Sequence, residues 1–361
     1  MKNLFLGLLF CASAIMQGNA QVRHEIQVPD IDGYKILKCD FHIHTVFSDG
    51  LVWPTVRVDE AYREGLDVIA ICDHIEFRPH KDIQAHHGRS FEIAEKVAAE
   101  NNILLIRGSE ITRSMPPGHF NAIFLDDCNP LEQKKWRDAF KEAKKQNAFL
   151  FWNHPGWARQ QPDTTLWWKE HTEILENGWM HGIEVANNGT GYMPEAHRWC
   201  LEKKLTMLGN TDLHRPSYFD YDFAKGEHRP MTFVLTKERS LAGVRDALCN
   251  RRTIVYAKDL LIGEEKYLRE LFEKSIEVVS VNRRAKSCDI TVKNNSDLTF
   301  ILKKTAHNKD IEYVRALTLK PQSRHTITVY YPETLKKGEL NFEVTNLLIQ
   351  PNKGMSYSYS F

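Results

Sequence analysis

Between residues 34 and 256, short apolar runs rich in β-branched and aromatic residues alternate with amphipathic stretches. Runs at 36–43, 68–72, 103–107, 121–125, 149–152, 182–186 and 206–209 predict seven strands, and a further run follows at 231–236. The stretches between them carry helical spacing. Residues 89–102 place Phe91, Ala94 and Ala98 on one face, with Ile93 and Val97 beside them. Residues 129–146 wrap charges around Trp136, Ala139, Phe140 and Ala143, and residues 194–204 open on a proline, which suits a first helical turn. Continuous apolar strands are covered on both faces, so the alternation predicts an α/β fold with a parallel sheet. Seven units suggest a closed (β/α) barrel; an open doubly wound sheet is the alternative.

The period changes after about residue 260. Residues 266–274 still read as a helix. From 276 onward, alternating stretches at 276–281, 288–292, 298–303, 323–331 and 340–347 are separated by turn formers such as Asn294-Asn295-Ser296 and Lys337-Gly338. They predict a small antiparallel β domain of the sandwich kind. The expected division is a signal peptide over 1–20, a barrel over 21–262 and a β domain over 263–361. Lys2, the apolar run 4–10 and Gly18-Asn19-Ala20 carry the signal reading, with cleavage near Ala20 and a secreted or periplasmic destination. A lipoprotein anchored at Cys11 is the alternative, with bulky Phe10 against it. No segment reads as a membrane span.

Composition narrows the function classes. The chain of 361 residues is 42% hydrophobic and 26% charged, with a net charge of +1, as in an ordinary globular protein. A nucleic-acid polymer is not an expected partner, because no broad basic surface is implied. The cysteines beyond the signal are Cys39, Cys72, Cys128, Cys200, Cys249 and Cys288, with no CxxC pair. Disulfides are open to an exported chain, but Cys39 and Cys72 sit in apolar runs and read as small buried residues.

The chemistry gathers at the strand ends. In Asp40-Phe41-His42-Ile43-His44-Thr45-Val46-Phe47-Ser48-Asp49-Gly50, His42 and His44 share one face of a strand, since residues two apart point the same way. Two imidazoles on one face suit a transition metal. The pattern recurs as Asp73-His74, Gly108-Ser109-Glu110, Gly118-His119, Asn153-His154-Pro155 and Thr211-Asp212-Leu213-His214. A ring of such residues at one end of a barrel is where an active site forms.

The order HxH…SDG, DH, Glu, His, HP and DxH over residues 38–215 resembles the polymerase and histidinol phosphatase (PHP) family, and within it the exported phosphodiesterases of the Sb-PDE kind. The resemblance implies a distorted seven-stranded (β/α) barrel that cleaves phosphate esters with two or three divalent ions, manganese, iron or zinc. It implies that His42, His44, Glu110 and Asp212 hold one ion. Glu110, His119 and His154 would hold a second, and Asp49, His74 and His214 a third. Glu110, Asp212 and His214 would be catalytic, and Asp73 would orient a neighbouring imidazole. Many members carry a histidine near the Asp49-Gly50 position, where this chain has aspartate.

Arg113 and Arg215, close to these motifs, are candidates for holding the substrate phosphate, because a guanidinium can donate two parallel bonds. Arg159 reads more readily as a surface residue. His80, His86 and His87 lie in a polar loop that is either a lid or simply solvated. Trp152, Trp157, Trp167 and Trp168 are wall or core, and Asn187 and Asn188 end the sixth strand. The expected activity is hydrolysis of a small-molecule phosphate ester, a diester first, by a metal-activated water. A phosphomonoesterase is the nearest alternative, followed by an amidohydrolase or a non-catalytic metal-binding protein.

Overall fold

A computed structural model of the protein describes residues 22–305 and 309–361. The signal-peptide and Cys11 readings lie outside these residues. In chain order the first part comprises β1 (Lys35–Ile43), α1 (Pro54–Arg63), β2 (Val68–Ile71), α2 (Arg89–Glu100), β3 (Leu104–Ile111), β4 (Phe120–Ile123), α3 (Trp136–Lys145), β5 (Phe149–Trp152) and α4 (Lys169–Glu176). It continues with β6 (Gly182–Asn187), β7 (Gly191–Tyr192), α5 (Pro194–Lys203), β8 (Thr206–Asn210), β9 (Met231–Thr236), α6 (Leu241–Cys249), β10 (Thr253–Ala257) and β11 (Leu260–Gly263). Residues of β2, β4, β5, β6 and β8 are buried throughout, as continuous apolar runs demand of strands with helices outside and side chains inside.

The sheet is mixed rather than wholly parallel. β1, β2 and β3 run parallel, as do β5, β6 and β8, but β4 is antiparallel to both its neighbours and β9 is antiparallel to β1. The reason is the connection. A parallel neighbour needs a crossover, usually a helix, whereas residues 112–119 form an irregular loop that returns directly from β3 to β4. Helix α3 begins later than the sequence pattern suggests, because Asn129–Leu131 forms a separate 3₁₀ turn.

Ring closure is local. Residues Lys35 to Cys39 of β1 pair with β9. At its C-terminal end β1 changes partner to the segment after β8. His44 N–H donates to the Leu213 carbonyl at 2.9 Å, and Asp212 N–H donates to the His42 carbonyl at 2.8 Å. Arg57, 1% exposed in α1, fastens this seam by donating to the carbonyls of His44, Leu213 and Arg215 while paired with Glu60.

The second part comprises α7 (Glu265–Ser275), β12 (Ile276–Arg283), β13 (Ser287–Asn294), β14 (Phe300–Lys304), β15 (Ala316–Leu319), β16 (Arg324–Tyr330), β17 (Glu339–Gln350) and β18 (Lys353–Ser360). β12, β13 and β16 form one antiparallel sheet, and β15, β14, β17 and β18 the other. Inward residues alternate along each strand: Cys288, Ile290 and Val292 face Ile327 and Val329, and Leu340, Phe342 and Val344. That is an Ig-like sandwich. β11 pairs in parallel with β17 (Leu261 with Leu347, Ile262 with Leu348), so hydrogen bonding runs unbroken from one part into the other. All six cysteines among the described residues are free thiols, and only Cys249 is exposed.

Candidate metal centre

The nine side chains singled out at the strand ends meet in one place. His42 lies in β1 and His44 just beyond it; Asp49 follows in the turn; His74 follows β2; Glu110 is in β3; His154 follows β5; Asp212 and His214 follow β8. His119 precedes its strand for a physical reason: β4 is reversed, so its N-terminal end is the one at the site. The turn carrying Asp49 depends on Gly50, where a β-carbon would fall 2.7 Å from the Thr45 backbone nitrogen. His154 and Asp212 adopt positive φ, +31° and +60°, sparsely populated by such residues and often found where function holds the backbone under strain.

The ligand-type atoms form three overlapping groups, each spanning no more than 4.8 Å: His42, His44, Glu110 and Asp212; Glu110, His119 and His154; and His44, Asp49, His74 and His214. In the first, His42 Nε2 lies 3.1 Å from His44 Nε2, 3.2 Å from Glu110 Oε2 and 3.1 Å from Asp212 Oδ1. His44 Nε2 is 3.2 Å from the same Glu110 oxygen and 2.9 Å from Asp212 Oδ1. Glu110 reaches the second group by placing Oε1 2.6 Å from His119 Nδ1, and its Oε2 is also 3.1 Å from His74 Nδ1. Asp49 Oδ1 lies 3.3 Å from His74 Nε2 and 3.1 Å from His214 Nε2.

These spacings fit shared cations. Two atoms each about 2.1 Å from one ion and 90–110° apart stand about 3.0–3.4 Å from each other. Hydrogen bonding alone is a poorer account. One proton can serve the pair of His42 and His44 nitrogens, and Glu110 Oε1 and Asp49 Oδ1, both buried, lack a hydrogen bond of good geometry. The donor set, imidazole and carboxylate without thiolate, suits manganese, iron or zinc.

The charge distribution among these side chains follows from the same contacts. Burial opposes a charged imidazole, yet the carboxylates of Asp212 and Glu184 hold His42 well above its ordinary range. His74 is raised likewise by Glu110 and Asp49, and His214 by Asp49 and Asp212. His154 is pushed down by its burial and is therefore ready as a neutral ligand. Burial is also overcome at Glu110, where His74 and His119 keep the carboxyl well below the usual range.

Residues outside the ring hold it in place. Glu184, wholly buried in β6, accepts from His42 Nδ1 at 2.8 Å. Its charge inside an otherwise apolar run was the sequence signal, because a buried carboxylate demands donors. Asp40, also wholly buried, accepts from Thr211 and from Arg229.

Several expected contacts are not made. Asp73 bonds to no imidazole; it accepts from Thr45 N–H, Thr45 Oγ1 and Ser48 Oγ at 2.7–2.9 Å and so shapes the turn after β1. Arg113 and Arg215 do not line the cavity over these three groups. Arg113 is held by Glu76 and the carbonyls of Gln133 and Lys134, and exposed Arg215 by Asp220. Arg159 lines that cavity instead, a space of about 390 Å³ bounded also by Asp49, His74, Glu110, His119, His154, Trp157, Asp212 and His214. Trp157 meets His119 and His154 edge-on, whereas Trp152 is core, stacked on His171 and Trp199. His80, His86, His87, Asn187 and Asn188 lie off its wall; His87 is paired with Glu132.

Comparison with known proteins agrees with both halves. A family model described as an Ig-like domain matches residues 275–360. A 5'-3' exoribonuclease of Haemophilus influenzae is 40% identical over 75 residues, 21% of this chain, and the matched segment spans only 23% of that enzyme's length. An uncharacterized protein of Methanocaldococcus jannaschii is 29% identical over 204 residues, covering 52% of this chain and 87% of its own. A crystal structure from Bacteroides vulgatus, of a two-domain protein containing a predicted PHP-like metal-dependent phosphoesterase, superposes with a TM-score of 0.93. It is 59% identical, and the alignment covers 95% of this chain and 100% of that one. With an ion-ready centre, the same two domains and identity at that level over the full length of its relative, the chain belongs to the family of two-domain PHP-like metal-dependent phosphoesterases.

Proposed function

We propose that the protein hydrolyses small phosphodiesters at a cluster of two or three divalent ions. The observation that carries this is the sharing of Glu110 and His44 between ligand groups, which would let ions held by neighbouring groups act on one phosphate. When bound, such ions neutralise the ester anion and make a nucleophile from water at neutral pH. His42, His44, Asp212, His119, His154, Asp49, His74 and His214 would hold them, with Glu110 between. Among the described residues the cavity wall contains no serine, threonine, cysteine or lysine that could serve a covalent route.

The same wall favours a diester. Arg159 is the one arginine among its described residues, a modest complement for the single charge of a diester; a dianionic monoester calls for more. Trp157 offers an apolar edge to an organic ester group.

The test is elemental analysis of the purified protein together with hydrolysis of bis(p-nitrophenyl) phosphate, p-nitrophenyl phosphate and a short oligoribonucleotide, each with added Mn²⁺. At least two ions per chain and a faster diester reaction are expected. Active protein with fewer than two ions sinks the cluster, and a faster monoester reaction sinks the diester preference. Loss of one ligand removes several kcal/mol of charge stabilisation, so His42→Ala and Glu110→Ala should each slow turnover by more than about 100-fold.

A further inference from the structure

Glu184 carries a different kind of role. It is 0% exposed and does not line the cavity over the ligand groups. Each of its oxygens accepts two hydrogen bonds. Oε1 takes His42 Nδ1 at 2.8 Å and Asn210 Nδ2 at 3.0 Å; Oε2 takes the His154 backbone N–H at 2.7 Å and Asn187 Nδ2 at 3.0 Å. Among the described residues no lysine or arginine pairs with it, so four directed donors hold the buried carboxylate in place.

Two consequences follow. An ionised carboxylate has no hydrogen to give, so His42 must carry its hydrogen on Nδ1. The lone pair of Nε2 is then free to face His44, Glu110 and Asp212. The second oxygen grips the backbone of His154, whose φ of +31° needs such a restraint. His42 belongs to the first ligand group and His154 to the second.

We propose that Glu184 is a positioning residue that fixes the tautomer of His42 and, through the His154 backbone, the spacing between the first two ions. This rests on the centre being an ion site and not on which ester it cleaves. Glutamine cannot replace it. With its oxygen toward His42, its NH₂ confronts the N–H of His154. Turned over, it forces His42 to put its hydrogen on Nε2, where an ion must bind. Aspartate keeps the charge but cannot reach both partners.

The experiment titrates Mn²⁺ into metal-free wild type, Glu184→Gln and Glu184→Asp, and follows hydrolysis of bis(p-nitrophenyl) phosphate by the loaded proteins. Glu184→Gln should bind Mn²⁺ about 10–100-fold more weakly, the usual cost of losing a partner behind a ligand. Its kcat should fall with KM little changed, and excess Mn²⁺ should restore part of kcat; Glu184→Asp should fall between. Wild-type Mn²⁺ number and affinity in Glu184→Gln overturn the proposal. Should that variant fail to fold, ¹⁵N-histidine spectra of zinc-loaded wild type decide: hydrogen on His42 Nδ1 supports the role, and its absence there overturns it. If Mn²⁺ binding responds while wild type hydrolyses no phosphate ester, the functional reading falls and this one stands.

Discussion

At the scale of single residues, Glu110 concentrates the chemistry: one buried carboxylate touches His42, His44, His74 and His119. Ion uptake at such a place has to displace protons. The imidazoles of His42, His74 and His214, against the effect of burial, hold theirs above the ordinary histidine value because carboxylates face them. The sign is therefore definite. Mn²⁺ affinity should climb as pH rises through and beyond about 6.5 and fall as pH drops, with protons released on loading. Calorimetry in two buffers of different ionisation enthalpy measures that release, and a pH-independent affinity would contradict it. Arg159 gives a separate expectation. Arg159→Ala should leave ion content unchanged and raise KM for the diester roughly tenfold, the value of one charge-assisted bond. The convergence of these side chains was legible because a period of two puts His42 and His44 on one side of β1, and the ends of later strands repeat the residue types. Which arginine lines the cavity was not. Arg113 and Arg215 lie closer to the motifs in sequence, but their guanidinium groups are already claimed by Glu76 and Asp220. Nearness along the chain says nothing about such competition.

At the scale of elements, the site depends on how β1 ends. Its edge passes from β9 to the segment after β8, and Arg57 donates to three carbonyls across that join. Removing this side chain takes the charged partner from Glu60 Oε2 and the side-chain donor from the buried His44 carbonyl. Arg57→Ala should therefore cost about 3–5 kcal/mol, read as a drop in the denaturation midpoint at unchanged slope. A loss under 1 kcal/mol would show the join to be held by other contacts. Strand positions were readable because their residues are apolar throughout; their direction was not. The reversal of β4 is set by the absence of a helix over residues 112–119, and that same reversal explains why His119 comes before its strand. Two strands of the sandwich, β15 and β18, escaped notice. Lys353-Gly354-Met355-Ser356-Tyr357-Ser358-Tyr359-Ser360 alternates, with Met355, Tyr357 and Tyr359 inward and serines on the exposed face, but it lacks the valine and isoleucine that mark most strands.

At the scale of the whole molecule, the two-part organisation was visible as a change of hydrophobic period near residue 260. The continuous sheet through β11 and β17 was not, since cross-strand pairing leaves no mark on local pattern. The ring of strands is incomplete by hydrogen bonding where β8 should meet β1; two backbone bonds at His42, His44, Asp212 and Leu213 bridge it, and the candidate ligand groups stand directly beside them. Ions bound there would tie together the ends of β1, β2, β3, β5 and β8. Each ion present at 100 times its dissociation constant adds about 2.7 kcal/mol to folding stability. Chelation should accordingly lower Tm by many degrees, and an unchanged Tm would mean that the ring stands without its ions. The gap between β8 and β1 thus makes metal supply a determinant of the protein's lifetime: starved of metal, the chain would open first at that gap, and proteases would find it there.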